Sequence, residues 1–109
     1  MNTHWLESAE RDIDSIYDFY ANDKSIKVAD KIYNEIVDAS YSLVNFPFMA
    51  PIELNLTSSK RQFRSLLVRK YYKIIYFIEG DFIYIAAVWD CRTDPDFNID
   101  RIGSVHSFI

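Results

Sequence analysis

The chain has 109 residues, of which half are hydrophobic, and 12 basic against 16 acidic residues give it a net charge of −4 at pH 7. This length predicts a single domain over residues 1–109, and the composition excludes a disordered chain. The overall acidity argues against broad nucleic-acid binding, which depends on many phosphate contacts.

Sequence features that would place the chain outside the cytoplasm are missing. No apolar run approaches the roughly 20 residues that a membrane helix needs, and the N-terminus lacks the basic region and apolar stretch of a secretory signal. The single Cys91 excludes an internal disulfide, and neither histidine has metal-ligand spacing to a second ligand. We therefore expect a cytoplasmic protein with no membrane association, no metal and no cofactor.

Two amphipathic helices are predicted in the first half of the chain. Apolar residues recur at helical spacing over roughly 7–22 and again over roughly 25–45. Ser25 is the candidate N-cap of the second helix, and Phe46-Pro47 is expected to end it, because a residue before proline disfavours the helical region. The short break between the two helices predicts an antiparallel pair.

Three strands are predicted in the second half, over roughly 63–69, 72–79 and 82–89, after a loop over 46–62 that has room for a short strand at 52–56. Gly80-Asp81 is predicted to form a two-residue hairpin loop, because glycine readily adopts the positive φ of such turns. This loop fixes the register of the last two strands. The expected pairs are Ile78 with Ile83, Tyr76 with Ile85, Ile74 with Ala87, and Tyr72 with Trp89.

The predicted register gives the sheet two different faces, because side chains alternate along a strand. The first face carries the eight paired residues and no charge, so we expect it to lie under the helices. The second face is mixed and carries Lys73, Ile75, Phe77, Glu79, Phe82, Tyr84, Ala86 and Val88. We expect the C-terminal residues, from Phe97 to Ile109, to cover part of this second face and a partner protein to cover the rest.

Six cations and no acids lie within residues 60–73 of this otherwise acidic chain: Lys60, Arg61, Arg64, Arg69, Lys70 and Lys73. Such a patch can bind a polyanion or an acidic partner, and it can equally keep edge strands soluble. Charge alone leaves both interpretations open. Tyr71 and Tyr72 can likewise stack on nucleic-acid bases, although their strand position favours packing in the core.

Lys73 and Arg92 are expected to be neighbours, since in antiparallel strands the start of the middle strand lies beside the end of the last. Together they can stabilise a phosphate or a carboxylate. Arg92 can instead fix the turn by pairing with Asp90, Asp94 or Asp96. No nucleophile motif, P-loop or dinucleotide fingerprint accompanies these cations, and no Ser-His-Asp set can be assembled.

Several short motifs occur in an order and spacing shared with a known family. The first is Trp5-x-x-x-Ala9-x-x-Asp12-Ile13, and Leu43 and Pro47 follow around the end of the second helix. The others are Arg64-x-Leu66-x-Val68, Tyr71-Tyr72-Lys73-Ile74-Ile75-Tyr76 and Val88-Trp89-Asp90-x-Arg92-x-Asp94-Pro95. Over roughly residues 5–97 the chain resembles the RelE/ParE superfamily, the toxins of type II toxin–antitoxin modules, once described as plasmid stabilisation proteins.

The resemblance implies an α+β fold in which two N-terminal antiparallel helices pack on a twisted antiparallel β-sheet. It also implies a bacterial protein with a cognate antitoxin, whose flexible segment folds over the toxin. The second sheet face and the cations near it suit such a partner. The partner-binding residues expected on this basis are Arg64, Arg69, Lys73, Ile75, Phe77, Tyr84 and Arg92. The sequence leaves a homodimer open.

The superfamily divides by activity, and the residues around Arg92 bear on the division. RelE-like members cut mRNA on the ribosome with basic residues and either a C-terminal tyrosine or a histidine–tyrosine pair as acid/base groups. Lys73 and Arg92 match the basic, catalytic positions, but no tyrosine follows Arg92 and His106 is too far along the chain to align. ParE-like members inhibit DNA gyrase without a recognised catalytic centre, and they share the Arg92-x-Asp94-Pro95 ending and the double tyrosine. The missing acid/base group favours the ParE-like assignment. An mRNA endonuclease and a non-toxic antitoxin-binding module are the alternatives.

Overall fold

The computed structural model describes residues 1–56 and 60–91. In this part of the chain the helices are α1 (Glu7–Asp23) and α2 (Ile26–Ser42), and a short 3-10 helix spans Leu54–Leu56. The strands are β1 (Asn2–Trp5), β2 (Arg64–Val68), β3 (Tyr72–Glu79) and β4 (Phe82–Asp90), in the sheet order β1-β4-β3-β2. Both helices pack on one face of this sheet. The α+β fold, with two helices on an antiparallel meander, is therefore confirmed.

Strand β1 runs parallel to β4, which makes the sheet mixed rather than purely antiparallel. Its residues pair in register from Asn2 with Phe82 to Trp5 with Ile85. Apolar periodicity did not predict this strand, because only four residues alternate between exposed and half-buried positions. The Trp5-x-x-x-Ala9-x-x-Asp12-Ile13 motif therefore begins at the last residue of β1 and continues into α1.

Both predicted helices are present, and α2 ends earlier than predicted. Ser25 caps α2 as expected, since its side-chain oxygen accepts a hydrogen bond from the Val28 N–H at 3.1 Å. The regular helix stops at Ser42, before the proline is reached, because the backbone tightens there: the Leu43 N–H donates to the Ser40 carbonyl at 3.2 Å. Neither of these two helices is long and apolar enough to cross a membrane.

The β3–β4 hairpin has the predicted turn and the predicted register next to it. Gly80 adopts a φ of 60°, a left-handed conformation that costs glycine little. Ile78 pairs with Ile83 and Tyr76 pairs with Ile85. The two-residue loop therefore sets the pairing over the half of the hairpin nearest the turn, as predicted.

A bulge halfway along this hairpin makes the rest of the predicted register wrong. The register shifts between Ile75 and Tyr76, because β4 contributes one extra residue there. The pairs beyond the bulge are Ile75 with Ala87, Ile74 with Val88, Lys73 with Trp89, and Tyr72 with Asp90. The expected pairs of Ile74 with Ala87 and of Tyr72 with Trp89 do not form.

The bulge exchanges three side chains of β4 between the two faces of the sheet. Val88, expected on the second face, lies in the helix-side core, whereas Ala87 and Trp89, expected under the helices, lie on the second face. No charged residue occurs between Phe82 and Trp89. The sequence of β4 therefore offers no mismatch that would reveal the shift.

Helix α1 covers the part of the β4 edge that β1 does not reach. The Ser8 hydroxyl donates a hydrogen bond to the Ala86 carbonyl at 2.6 Å, and the Asp12 carboxylate accepts one from the Val88 N–H at 3.0 Å. Ser8 and Asp12 are one helical turn apart and share a face of α1. Their side chains satisfy backbone groups of β4 that would otherwise lack a strand partner on this side.

Two apolar cores lie on opposite faces of the sheet. The larger core lies between the helices and the sheet and includes Ile13 of α1, Ile36 of α2 and Ile74 of β3. The smaller core lies on the second face and consists of Leu6, Leu56, Phe63, Ile75, Phe77, Ala86, Ala87 and Trp89. Part of the second face is thus covered by the loop between α2 and β2. The C-terminal residues that we expected to cover it lie outside the described residues.

Candidate partner-binding surface

The middle of the second sheet face is closed by the chain itself. Ile75 and Phe77, two of the expected partner-binding residues, are 0% and 2% exposed. Leu56 and Phe63, from the loop between α2 and β2, belong to the same buried cluster. The rings of Phe63 and Phe77 meet edge-on, with their centroids 5.6 Å apart. Ile75 is therefore closed to a partner in this arrangement, and almost all of Phe77 is covered as well.

The open part of the second face is a group of aromatic rings beside the hairpin turn. Tyr84, another expected partner-binding residue, is half-buried and stacks on Phe77 with 5.0 Å between ring centroids. His4 and Phe82 flank Tyr84, each with its ring centroid 5.8 Å away, and Phe82 is exposed. Tyr84 thus remains accessible to a partner, unlike the two buried residues of the expected set.

Lys73 lies on the second face and has a partner within the chain. Its ammonium group donates a hydrogen bond to the Glu53 carboxylate at 2.9 Å. The side chain of Glu53 is 5% exposed and that of Lys73 is 26% exposed, so this ion pair is largely removed from water. Glu53 is positioned by its backbone N–H, which donates to the Phe63 carbonyl at 2.8 Å. The sequence did not indicate Glu53, because it lies in a loop whose apolar residues follow no period.

Arg61 also lies against the second face, where two interactions hold its guanidinium group. The guanidinium carbon is 4.1 Å from the centre of the Phe77 ring, within cation–π range. The same group forms an ion pair with Glu79, close to the hairpin turn. Arg61 was counted in the basic patch but not among the expected partner-binding residues.

Arg64 and Arg69 are directed toward the helical side of the molecule. Arg64 pairs with Tyr76 across the sheet, and its guanidinium group donates to the Ala50 carbonyl at 2.8 Å. Arg69 lies in the β2–β3 turn with a φ of 55° and donates to the Glu35 carboxylate of α2 at 2.7 Å. This hydrogen bond to Glu35 raises the pKa of Arg69. Arg61 and Lys73 therefore lie on the second face, whereas Arg64 and Arg69 contact the helical side of the molecule.

An open groove lies where the loop after α2 meets the β2–β3 hairpin. Phe48, Arg61 and Arg64 line it, and we call it the arginine groove. It has a volume of about 230 Å³, and Phe77 also lines it. The Phe48 ring is 64% exposed and lies 5.1 Å from the Arg64 guanidinium carbon. Guanidinium groups that are fixed in this way can bind carboxylates, and the exposed ring offers apolar contact. The groove suits a peptide segment that is both acidic and apolar.

Exposed apolar side chains are concentrated beside the arginine groove. Soluble monomers rarely expose large apolar patches unless these contact another molecule. The loop after α2 exposes Phe46, Phe48, Met49, Ile52 and Leu54. The sequence did not indicate this surface, because residues 46–62 carry the proline and polar signals of a simple connection.

Cys91 follows β4, and the charge of Lys73 influences the pKa of its thiol. Burial raises the pKa of the Cys91 thiol, and the positive charge of Lys73 opposes this only in part. The thiolate is the nucleophilic form of cysteine, so a raised pKa lowers the thiolate fraction of Cys91 at neutral pH. Within residues 1–56 and 60–91, no cluster of His, Cys, Asp and Glu side chains can hold a metal ion.

Two sequence interpretations concern residues at the ends of β3 and β4. Tyr72 is fully buried, and its hydroxyl group is hydrogen-bonded to that of Tyr20, so it packs in the core and cannot stack on a base. Arg92 lies outside the described residues. Its expected proximity to Lys73, and its expected part in partner binding or catalysis, therefore stay predictions.

Comparisons with known proteins agree with this fold. A family model described as "ParE toxin of type II toxin-antitoxin system, parDE" matches residues 4–95. A solved structure, "Chromosomal ParDE TA system from P. aeruginosa", is similar with a TM-score of 0.69 and 21% sequence identity, covering 83% of this chain and 95% of that chain. At this identity the likeness concerns the fold alone. A comparison with curated proteins finds no match. Because the family match spans most of its length, the chain belongs to the ParE toxin family of type II toxin–antitoxin systems.

Proposed function

We propose that this chain inhibits DNA gyrase in the bacterial cytoplasm and that a cognate antitoxin neutralises it. The observation that carries the proposal is the family match over residues 4–95. That range includes the Arg92-x-Asp94-Pro95 ending, which the chain shares with ParE-like rather than RelE-like toxins. The proposal requires no catalytic centre in the chain, since inhibition then results from binding.

The environment of Lys73 supports inhibition by binding over mRNA cleavage. A ribosome-dependent endonuclease needs groups that hold and move a proton at the reacting 2′-hydroxyl. Lys73 matches a basic position of RelE-like toxins, but its ammonium group is hydrogen-bonded to the buried Glu53 carboxylate. A lysine in such a pair serves the fold, and contacting a scissile phosphate would require it to leave a buried carboxylate without that hydrogen bond.

The arginine groove is the proposed contact for the antitoxin. Arg61 and Arg64 supply fixed positive charge, and Phe48 together with the exposed loop after α2 supplies apolar contact. We propose that the antitoxin places an acidic and apolar segment there, which folds as it binds. Of the two buried residues that were expected to make the contact, Phe77 also lines this groove, whereas Ile75 does not.

The target is tested with the purified chain, purified DNA gyrase and relaxed plasmid. We expect a dose-dependent loss of supercoiling and an accumulation of cleaved DNA, both reversed by the antitoxin encoded in the neighbouring reading frame. Growth arrest in cells combined with unimpaired supercoiling in vitro would exclude gyrase as the target. New cuts within codons, mapped by primer extension in induced cells, would instead identify an mRNA endonuclease. Harmless overexpression would identify a non-toxic antitoxin-binding module.

The antitoxin contact is tested by replacing the exposed ring of the arginine groove. We expect Phe48→Ala to weaken antitoxin binding about tenfold or more, as truncation of a well-placed aromatic anchor typically does. The matched control is Phe19→Ala, which removes a similarly exposed phenylalanine from α1 and is expected to leave the affinity unchanged. Calorimetric titration measures both variants. Equal affinity of the wild type and Phe48→Ala would place the antitoxin elsewhere.

A further inference from the structure

The outer surface of the helical pair contains a second groove, which the proposed function does not use. It lies between α1 and α2, next to the end of β1, and has a volume of about 340 Å³. Ile13 of α1 and Val37 of α2 contribute its aliphatic lining. None of the residues of the arginine groove takes part in it. We call it the helix groove.

Three aromatic rings line the helix groove and remain partly open to solvent. They belong to Trp5 at the end of β1 and to Tyr33 and Tyr41 of α2, and Tyr41 is 59% exposed. Tyr33 is held in place by Tyr17, whose ring meets it edge-on at 5.9 Å between centroids. Partly exposed aromatic rings grouped around a groove attract cations through their negative π-faces.

Two carboxylates of α1 flank the same groove. Glu10 and Asp14 are exposed and one helical turn apart, and among the described residues neither forms an ion pair or a side-chain hydrogen bond. Like charges at this spacing destabilise a helix. The whole of α1 carries six acidic residues and only one arginine, so the negative potential at the groove extends along the helix.

We propose that the helix groove is the docking site for a basic segment of a partner protein. An arginine or lysine of that segment binds between the Glu10 and Asp14 carboxylates and the rings of Tyr33 and Tyr41, and a neighbouring apolar side chain packs on Val37. Charge complementarity selects this occupant, because the carboxylates repel the phosphates of nucleic acids and the acidic segment that suits the arginine groove. The inference does not rest on gyrase inhibition, since it concerns a different surface.

The docking site is tested by NMR on the isotopically labelled full chain. The probe is a short amphipathic peptide of leucine, alanine and arginine, and the comparison peptide has each arginine replaced by glutamine. We expect the arginine peptide to cause saturable shifts that include the Trp5 indole and the backbone amides of Tyr33 and Tyr41. We expect the glutamine peptide to bind at least about tenfold more weakly. Shifts that never saturate, or that map away from the groove, would overturn the proposal.

Two pairs of variants separate the groove from general electrostatic attraction. Glu10→Gln with Asp14→Asn is expected to weaken binding of the arginine peptide about tenfold or more. Glu7→Gln with Asp18→Asn removes the same charge from α1 outside the groove and is expected to change the affinity less than about twofold. Equal losses in the two double variants would mean long-range attraction without a site, which overturns the proposal.

A further pair tests the aromatic contact. Tyr41→Phe keeps a ring and is expected to keep the affinity, whereas Tyr41→Leu is expected to lower it several-fold because cation–π attraction is lost. Equal affinity of the two Tyr41 variants would show that the aromatic ring does not contribute to binding, which contradicts this part of the proposal. Shifts of the same residues on raising the concentration of the chain alone would show that a second copy occupies the groove, which contradicts a basic partner segment.

Discussion

Replacement of Trp89 by alanine is expected to lower the free energy of unfolding by about 3–5 kcal/mol, the range observed when a large buried aromatic side chain is truncated. Trp89 is fully buried on the second face, in the cluster that includes Leu56, Phe63 and Phe77. The loop that covers this face packs into the same cluster through Leu56 and Phe63, so a cavity there weakens both the sheet and its cover. The free energy of unfolding of a small domain is about 5–15 kcal/mol, so this loss is a large part of the total stability.

The measurement is urea unfolding followed by far-UV circular dichroism, which does not depend on the tryptophan that is removed. Leu67→Ala is the matched control, because Leu67 and Trp89 both pair with Lys73 and so lie in one row across the same face. Leu67 is 55% exposed, and we expect its truncation to cost within about 0.5 kcal/mol. If Trp89→Ala lowered the free energy of unfolding by under about 1 kcal/mol, this result would contradict the buried second core.

Trp89 lies beyond the bulge, in the part of β4 whose register local sequence rules did not predict. The two helices, the strands β2 to β4, the α2 cap at Ser25 and the pairing beside Gly80 follow from apolar spacing, capping preference and turn chemistry, which act over a few residues. The bulge does not follow from such rules. Two successive alanines, Ala86 and Ala87, lie where the register shifts, and both belong to the second-face cluster. Small apolar side chains fit either face, so only the packing of the whole sheet decides the register.

The candidate site was predicted less well than the fold, and Glu53 explains much of the difference. A basic patch in a sequence has the same composition whether its cations face a partner or pair within the chain. Here Lys73 pairs with Glu53 and Arg69 with Glu35, across sequence separations that no local pattern encodes. The exposed aromatic Phe48 was missed for a related reason, because loop residues follow no period from which exposure can be read.

The division of charge between the two grooves predicts that they bind different classes of partner segment. The arginine groove combines guanidinium groups with an exposed phenylalanine, whereas the helix groove combines carboxylates with tyrosines and a tryptophan. An acidic segment is attracted to the first and repelled by the second, and a basic segment behaves in the opposite way. A net charge of −4 hides this arrangement, because opposite charges at separate places cancel in the sum.

The ion pair between Lys73 and Glu53 provides a test of whether Lys73 acts on the fold or on another molecule. Lys73→Met is expected to lower the free energy of unfolding by about 2–3 kcal/mol, because the buried Glu53 carboxylate loses a charged hydrogen-bond partner. Glu53→Gln alone is expected to cost less, about 1 kcal/mol, since the 26% exposed lysine can still reach water. The double variant is expected to recover most of the loss of Lys73→Met, and urea unfolding of the four proteins measures the coupling.

The function of the double variant then decides the role of Lys73. If the lysine serves the fold, the double variant regains both stability and inhibition of gyrase supercoiling, and this is the outcome we expect. If Lys73 instead contacts a phosphate or the partner, the double variant folds but stays inactive, because methionine restores packing without restoring charge. Where the wild type does not cut mRNA, a stable and inactive double variant would assign Lys73 to protein binding. Loss of cleavage of mRNA within codons in the same variant, where the wild type cleaves, would assign it to catalysis.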